Sequence, residues 1–528
     1  MMDLDQRRPA SGPQASSRTA AVTVGPSGED AVALFNRAVD LHRSGHLAAA
    51  VAACGEAVAR RPDLAVGHQL LGVLEFQAGR KEAALPHLLR AASLDANDPK
   101  CFLNLGVTLH LLGRHDQALL ALQRALTIRL DYPEALHALA TTLKALGRTD
   151  EAIRAYAKAI SIKADYVDAY NDLGNLLQEQ NRSAEAEKLH REACRIDPSR
   201  MASHDLLGTA LQRQGRLAEA VSAYQEAIAR GGDVAQPYSN LGAAFFEMGA
   251  ISKAIAAYRY SIALDPGRVG SYSNLGLGLK ERGRFGDAEK VFRWALRLAP
   301  GFADAASNLG NLCKDQARLG EAQQLYERAI ALAPHRQEFH SNLLLTLNYR
   351  AELTPEAVYE RHLAWGRSIA DPHMAAAPGH PNDADPGRRL RIGYVSPDFR
   401  SHSVSYFFEP LLAAHDRDRF EIHCYADVKR PDETTARLKG MADGWRWIMG
   451  VGDAAVAQQV RDDRIDILVD LAGHTANARP LVFARKPAPV QVTWLGYPNT
   501  TGMAAMDARL CDAISDPEPG ADRLNRER

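Results

Sequence analysis

The chain has 528 residues and balances 63 Lys and Arg against 64 Asp and Glu, so its formal net charge is −1. This balance argues against a protein that binds nucleic acid through bulk positive charge. Charged residues make up 24% of the chain, and no apolar run is long enough for a membrane-spanning helix. Six cysteines lie far apart without a CxxC pair, which argues against a zinc site or a disulfide framework. The sequence therefore predicts a multidomain cytoplasmic protein without a metal, a membrane partner or a nucleic-acid partner.

An internal repeat dominates the first half of the chain. Residues 1–30 are rich in Pro, Gly, Ser and Ala and are predicted to form a disordered tail. Nine copies of a 34-residue period then cover residues 31–336 without an insertion. Position 8 of each copy is Gly or Ala, position 20 is always Ala, and Gly is frequent at position 15. This pattern predicts a helix–turn–helix unit and resembles the tetratricopeptide repeat.

Stacked copies are expected to form a superhelix with a concave groove, because one hairpin cannot bury its apolar face alone. Position 6 of the first helix carries a recurrent asparagine. The candidate peptide-binding members of this column are Asn104, Asn240, Asn274, Asn308 and, in a partial tenth copy, Asn342. Asparagine can hydrogen-bond the backbone of an extended peptide without demanding a particular sequence. The alternative is that these side chains are struts between neighbouring helices.

The sequence pattern changes class after the repeats. Residues 337–370 are predicted to form a partial repeat with capping helices, and residues 371–388, with four Pro and two Gly, are predicted to form a linker. Over residues 389–528, short β-branched runs alternate with helical stretches, which predicts a parallel sheet with right-handed crossovers. The four predicted strands lie in the segments LRIGYVSPDF, FEIHCYADV, IDILVDLAG and VQVTWLGYP.

Polar residues follow three of these strands, and ligands of such sheets bind beyond the carboxyl ends of the strands. Asp398 and His402 follow the first strand, and His474 follows the third. Asp398 or His402 could take a proton from an attacking hydroxyl group, and the helix that opens near His402 suits an anionic diphosphate. The alternatives are that the aspartate only caps a helix and that the two histidines only hydrogen-bond locally.

Three segments together with the repeats resemble the protein O-GlcNAc transferase and SPINDLY family. The segments are RLRIGYVSPDFRSHSVSYFFEPLL, DILVDLAGHTANARP and RKPAPVQVTWLGYPNTTG, and the repeats end in HSNLLLTLNY. The resemblance implies an enzyme that transfers a sugar from a nucleotide donor to Ser or Thr hydroxyl groups of proteins, without a metal. It also implies that the repeats present the acceptor polypeptide and that residues 389–528 are the N-terminal, Rossmann-like lobe of a GT-B type transferase.

The resemblance also assigns roles to individual residues. By motif position, it implies catalytic roles for Asp398, His402 and His474. It implies that the donor contacts Thr475, Tyr497, Pro498, Thr500 and Thr501. Animal transferases have Pro and Thr where this chain has Ser403 and Val404, which places the chain nearer the SPINDLY-like and bacterial branch. UDP-GlcNAc is the expected donor, and GDP-fucose is the alternative.

Only about 140 residues remain from Arg389 onward, too few for two Rossmann-like lobes. We therefore expect this chain alone to be inactive, whereas a longer parent protein would transfer sugar. The rival interpretation is a non-catalytic scaffold that binds peptides in the groove of the repeats, because the donor-binding lobe is absent from this chain.

Overall fold

The computed structural model describes residues 26–375, 377, 379–385, 387–512 and 521–527. Most of the predicted tail lies outside the described residues, and the first helix begins at Pro26. The chain divides into two compact units, the first ending at Gly232 and the second beginning at Asp233.

The repeats form antiparallel pairs of helices. From the second copy onward, the first helix of each pair begins at the first residue of the predicted copy. The pairs of the first unit are α1 (Pro26–Arg43) with α2 (Leu47–Arg60), α3 (Ala65–Gln77) with α4 (Lys81–Leu94), α5 (Pro99–Leu111) with α6 (His115–Ile128), α7 (Pro133–Ala145) with α8 (Thr149–Ile162), α9 (Val167–Glu179) with α10 (Ser183–Ile196), and α11 (Met201–Arg213) with α12 (Leu217–Gly231). Those of the second unit are α13 (Ala235–Glu247) with α14 (Ile251–Leu264), α15 (Val269–Glu281) with α16 (Phe285–Leu298), and α17 (Ala303–Asp315) with α18 (Leu319–Leu332).

The small residue at position 8 lets the two helices of a hairpin approach closely. In α15, a Cβ atom added to Gly276 would lie 2.5 Å from Cε1 of Phe292, the fully buried residue at position 24 of the same copy. The same pairing recurs in other copies, for example between Gly242 and Tyr258. Gly276 therefore serves helix packing, and its place within a helix excludes a glycine-rich phosphate loop.

We expect Gly276→Ala to lower the free energy of unfolding by about 1–2 kcal/mol, because the added methyl group meets a ring that is packed on all sides. Chemical denaturation measures this change. Gly286→Ala is the matched control, since a Cβ atom at Gly286 meets nothing within 4 Å. Equal stability of the two variants would contradict the packing argument.

A helical cap follows the repeats in the second unit. It consists of α19 (Gln337–Leu347), α20 (Pro355–Trp365), a π-helical turn (Gly366–Ala370) and α21 (Asp371–Ala375). The hydroxyl group of Thr354 accepts a hydrogen bond from the backbone N–H of Ala357 at 3.2 Å, which caps α20. The cap therefore extends into the first residues of the predicted linker.

A six-stranded parallel sheet forms the last part of the second unit. Its strands are β1 (Leu390–Ser396), β2 (Phe420–Ala426), β3 (Gly444–Trp447), β4 (Ile467–Asp470), β5 (Val490–Trp494) and β6 (Ala508–Leu510). Its helices are α22 (Ser403–Ala414), α23 (Glu433–Met441), α24 (Asp453–Asp462) and α25 (Pro480–Phe483). The strand order β3-β2-β1-β4-β5-β6 reverses direction between β1 and β4, so a crevice is expected beyond these two strands.

The predicted fold class is confirmed: helical repeats precede an α/β lobe with a parallel sheet. The four predicted strands are β1, β2, β4 and β5. Prediction missed β3 and β6, which are four and three residues long and lie at the two edges of the sheet. Such short edge strands leave little periodic signal.

One hydrophobic core joins the last repeats, the cap and the lobe within the second unit. It contains Tyr326 from the last repeat, Leu343 and Trp365 from the cap, and Val395 and Phe483 from the lobe. The lobe is therefore packed against the cap rather than tethered to it. None of the described helices is long and apolar enough to cross a membrane.

Candidate active site at the carboxyl edge of the sheet

Asp398 and His402 lie together after β1. The carboxylate oxygen Oδ1 of Asp398 is 3.8 Å from Nε2 of His402 and 3.5 Å from the guanidinium group of Arg400. Burial raises the pKa of Asp398 above its ordinary value, and the neighbouring His402 and Arg400 act in the opposite direction. A buried carboxylate whose pKa is raised is a stronger base than an exposed one, so Asp398 is suited to accept a proton.

His402 is the N-cap of α22. Its Nδ1 atom accepts a hydrogen bond from the backbone N–H of Val404 at 3.3 Å. A neutral ring that accepts at Nδ1 carries its proton on Nε2, the atom that lies nearest the carboxylate of Asp398. Nε2 thus faces the carboxylate of Asp398 without hydrogen-bonding it, and the His402 side chain stays partly exposed.

Asp470, at the end of β4, was missed by prediction. Its carboxylate accepts hydrogen bonds from the backbone N–H groups of Ala472 and Gly473 at 3.0 and 2.9 Å, and from the hydroxyl group of Thr493 at 3.0 Å. Burial raises the pKa of Asp470, and these donors counteract that rise. Asp470 thereby fixes the turn that carries His474, where Gly473 adopts a φ of +57°.

The structure places His474 away from solvent, against the cap. Its Nε2 atom donates to the backbone carbonyl of Thr501 at 2.9 Å, and its Nδ1 atom lies 3.1 Å from the hydroxyl group of Ser341 in α19. The ring of Trp365 packs edge-on at 4.5 Å, and burial lowers the pKa of His474 to about 3. Both ring nitrogens have partners, so this geometry favours a positioning role for His474, and the catalytic role stays a prediction.

Tyr497 also points into the contact with the cap. Its hydroxyl group lies 2.6 Å from Nε2 of His362, whose Nδ1 atom donates to the carbonyl of Val358. The side-chain amide of Asn348 donates to the same hydroxyl group at 3.0 Å. The hydroxyl group of Tyr497 therefore donates to His362 and accepts from Asn348, which favours a structural role, and its contact with a sugar donor stays a prediction.

The rest of the predicted donor-binding loop presents hydroxyl groups. Thr500 and Thr501 are fully buried, and both side chains hydrogen-bond the carboxylate of Glu527. The backbone N–H of Thr501 donates to the same carboxylate at 2.7 Å. Pro498 is exposed, and its carbonyl accepts from Arg509 at 3.1 Å. Two hydroxyl groups and one amide thus form a cradle that holds an oxyanion.

A polar cleft of about 380 Å³ separates α19 from the loop after β4. Asn342 and Ser341 line one side, and Thr475, Asn477 and Arg479 line the other. The hydroxyl group of Thr475 donates to the carbonyl of Ala472 at 2.9 Å. The cleft brings the last asparagine of the predicted column next to a residue of the predicted donor site.

The asparagine column forms rungs between neighbouring repeats of the second unit. Asn308 donates to the hydroxyl group of Ser273 at 3.0 Å, and Asn342 donates to that of Ser307 at 3.4 Å. Asn240 accepts from Gln236 within α13. The other members, Asn104 in α5 and Asn274 in α15, are half-buried. Each of these hydrogen bonds to serine uses one amide hydrogen of the asparagine. The second amide hydrogen and the side-chain carbonyl oxygen remain for a ligand, so an asparagine can bridge two repeats and contact a peptide at the same time.

Ser-Asn pairs recur at the same two positions of four consecutive copies, a signal that prediction had not used. They are Ser239-Asn240, Ser273-Asn274, Ser307-Asn308 and Ser341-Asn342. The serine of the last pair contacts His474, which therefore occupies the place that the next asparagine would take. The lobe thus packs against α19 at the place where the next repeat would pack.

Comparisons with known proteins agree with this architecture. Residues 359–526 match the family model described as glycosyl transferase family 41. Models of the tetratricopeptide repeat match residues 35–100, 70–135, 206–269 and 274–364. Within the described ranges, no group of three His, Cys, Asp or Glu side chains is arranged to hold a metal ion.

Several curated relatives match a third or less of the chain. The probable UDP-N-acetylglucosamine–peptide N-acetylglucosaminyltransferase SPINDLY of Solanum lycopersicum is 45% identical over 183 residues, which are 33% of this chain and 19% of the relative. The UDP-N-acetylglucosamine–peptide N-acetylglucosaminyltransferase of Caenorhabditis elegans is 40% identical over 134 residues, which are 25% of this chain and 12% of the relative. The chain thus spans about a fifth or less of the curated relatives it matches.

A solved structure of an O-GlcNAc transferase mutant from Thermobaculum terrenum is similar over a longer stretch. It is 39% identical, covers 56% of this chain and 56% of its own, and superposes with a TM-score of 0.52. Together these findings confirm the resemblance of this chain to the O-GlcNAc transferase and SPINDLY family.

Proposed function

We propose that a longer parent protein containing this chain transfers a sugar from a nucleotide donor to Ser or Thr hydroxyl groups of proteins, and that the sugar is GlcNAc. The observation that carries this proposal is the cleft between α19 and the loop after β4, where Asn342 and Thr475 face each other. A polypeptide lying along the asparagine column would end there at the carboxyl edge of a parallel sheet, the edge at which such folds bind ligands.

The acceptor polypeptide would reach the site along the Ser-Asn rungs of the second unit. Asn308 and Asn342 each retain hydrogen-bonding capacity toward a peptide backbone, and such contacts do not select for an acceptor side chain. Such recognition tolerates many sequences, as expected for an enzyme with several acceptor proteins.

Asp398 is the proposed base, and Nε2 of His402 lies 3.8 Å from its carboxylate. Burial raises the pKa of Asp398 and so strengthens it as a base. Removing the proton from an acceptor hydroxyl group lets the oxygen attack the anomeric carbon of the donor, while the diphosphate departs with the electron pair of the broken bond.

The departing diphosphate carries negative charge and needs hydrogen-bond donors. The cradle of Thr500 and Thr501 supplies two hydroxyl groups and one backbone N–H, and it already holds the carboxylate of Glu527. We propose this cradle and Thr475 as part of the donor site, with UDP-GlcNAc as the donor and GDP-fucose as the alternative. Incubation of the protein with each donor and a panel of acceptor peptides, followed by intact mass analysis, distinguishes a HexNAc adduct from a deoxyhexose adduct.

Asn342→Ala tests the route of the acceptor. We expect affinity for an acceptor peptide to fall about three- to tenfold, the loss of one or two hydrogen bonds. Ser307→Ala is the matched variant, because it removes the strut partner of Asn342 and leaves the amide in place. If the asparagine is only a strut, both variants lower stability alike and neither changes peptide affinity, as measured by fluorescence anisotropy.

A non-catalytic peptide-binding scaffold is the second candidate function. It is favoured by the occupancy of the cradle, since Thr500 and Thr501 are both engaged by Glu527 of the same chain. On this alternative, the protein binds acceptor peptides with the affinity pattern above but transfers no sugar from either donor.

A further inference from the structure

An apolar groove lies in the first unit, on the surface formed by α4, α5 and α6. It has a volume of about 460 Å³. Apolar side chains from all three helices line it, among them Leu85, Leu89, Phe102, Leu105 and Leu120. The groove is remote in sequence from the lobe and takes no part in the function proposed above.

Two of its leucines are exposed where the repeat pattern has polar residues. Leu120 is 67% exposed and Leu89 is 50% exposed. Leu120 occupies position 22 of its copy, which is polar or charged in five later copies: Arg154, Lys188, Ser222, Lys290 and Gln324. Exposed leucines that replace polar residues in an otherwise regular repeat indicate a contact surface.

The groove is also lined by Arg114, whose counterparts in other copies are paired with an acidic residue. Arginine recurs at position 16 and pairs with an acid three residues later, as Arg148 does with Glu151 at 2.7 Å. The same pair recurs in four later copies: Arg182–Glu185, Arg216–Glu219, Arg284–Asp287 and Arg318–Glu321. In the groove the acid is replaced by Gln117, and Arg114 makes no ion pair with any described residue.

A second cation lines the groove farther along α6. Arg124 donates to the carbonyl of Ala96 at 3.0 Å and lies over the ring of Phe102, and it too forms no ion pair within the described part of the chain. Arg114 and Arg124 are ten residues apart, which corresponds to about 15 Å along a helix. Arg114 and Arg124, which have no ion pair with a described residue, therefore line the groove together with its apolar side chains.

We propose that this groove docks an acidic amphipathic segment of a partner protein. The segment would place leucine-like side chains over Leu89 and Leu120 and carboxylates near Arg114 and Arg124. Helix-in-groove binding of this kind takes apolar anchors at i, i+3, i+4 and i+7, and complementary charge selects the partner. The departures from the repeat pattern at Leu89, Gln117 and Leu120 all serve this one surface.

Peptide titration tests the proposal. The probe is a synthetic helical peptide with leucines on one face and glutamates about three turns apart, and the comparison peptide has lysines in place of the glutamates. We expect the unaltered protein to bind the acidic peptide at least about tenfold more tightly than the basic one. Arg114→Glu combined with Arg124→Glu is expected to reverse that preference, and Leu120→Gln is expected to weaken binding of the acidic peptide about tenfold or more.

Matched controls keep the test independent of folding. Leu130→Gln changes a leucine that is 78% exposed in the same copy but does not line the groove, so peptide affinity should not change. If the double variant unfolds, Arg114→Glu alone decides the charge preference, because Arg114 has no ion pair with a described residue to lose. Equal affinity for both peptides would overturn the proposal. So would self-association of the protein that Leu120→Gln abolishes, since a second copy would then be the occupant.

Discussion

In the longer parent protein that we expect to transfer sugar, Asp398→Asn is expected to lower the rate of transfer about 100-fold or more, because the amide cannot accept the proton of the attacking hydroxyl group. The fold should survive, since the recorded polar partners of the carboxylate among the described residues are Arg400 at 3.5 Å and His402 at 3.8 Å, and asparagine has nearly the same shape. A single-turnover assay with UDP-GlcNAc measures the loss, and thermal unfolding verifies the fold.

The pH dependence supplies a second readout for Asp398. Burial raises its pKa in the folded protein, so the rate should rise with pH through a value above the ordinary range of an aspartate. Stability should depend on pH in the opposite direction. Because burial favours the protonated carboxyl of Asp398 in the folded state, its contribution to the free energy of unfolding decreases as pH rises through its raised pKa. Asp418→Asn, an exposed aspartate, is the control. Unchanged transfer by Asp398→Asn would remove Asp398 from the mechanism.

Gly366→Ala is expected to lower the free energy of unfolding by about 3 kcal/mol, because two backbones meet there without room for a methyl group. A Cβ atom on Gly366 would collide with the backbone carbonyl of Gly502, in the loop that carries Thr500 and Thr501. In turn, a Cβ atom on Gly502 would collide with the backbone carbonyl of His362, one turn before Gly366. Backbone cannot give way as a flexible side chain can, so the cap and the loop would have to separate.

Chemical denaturation measures the loss, and Gly270→Ala is the control. Gly270 lies in α15, where an added Cβ atom meets nothing within 4 Å, so alanine there should raise stability by about 0.5 kcal/mol. Separation of the cap from the loop would also break the hydrogen bond between His362 and Tyr497. If Gly366→Ala leaves the free energy of unfolding unchanged, the backbones of the cap and the loop do not approach this closely.

The sequence by itself determined the periodic part of this protein. Helix starts followed from the 34-residue period, and the four main strands followed from short apolar runs. The position of Asp398 and His402 at one edge of the sheet followed from the rule that parallel strands end together. These features were readable because each depends on neighbours within a few turns of helix or one crossover.

Only the tertiary structure decided which polar residues turn toward solvent. His474 and Tyr497 follow strands as a catalytic residue would, yet their partners Ser341 and His362 are 133 and 135 residues away in the chain. A local pattern shows that a residue follows a strand but not which surface covers it. The packing of the cap against the lobe decides it. Polar side chains buried between these two surfaces need hydrogen-bond partners, and His474 and Tyr497 find theirs in the cap.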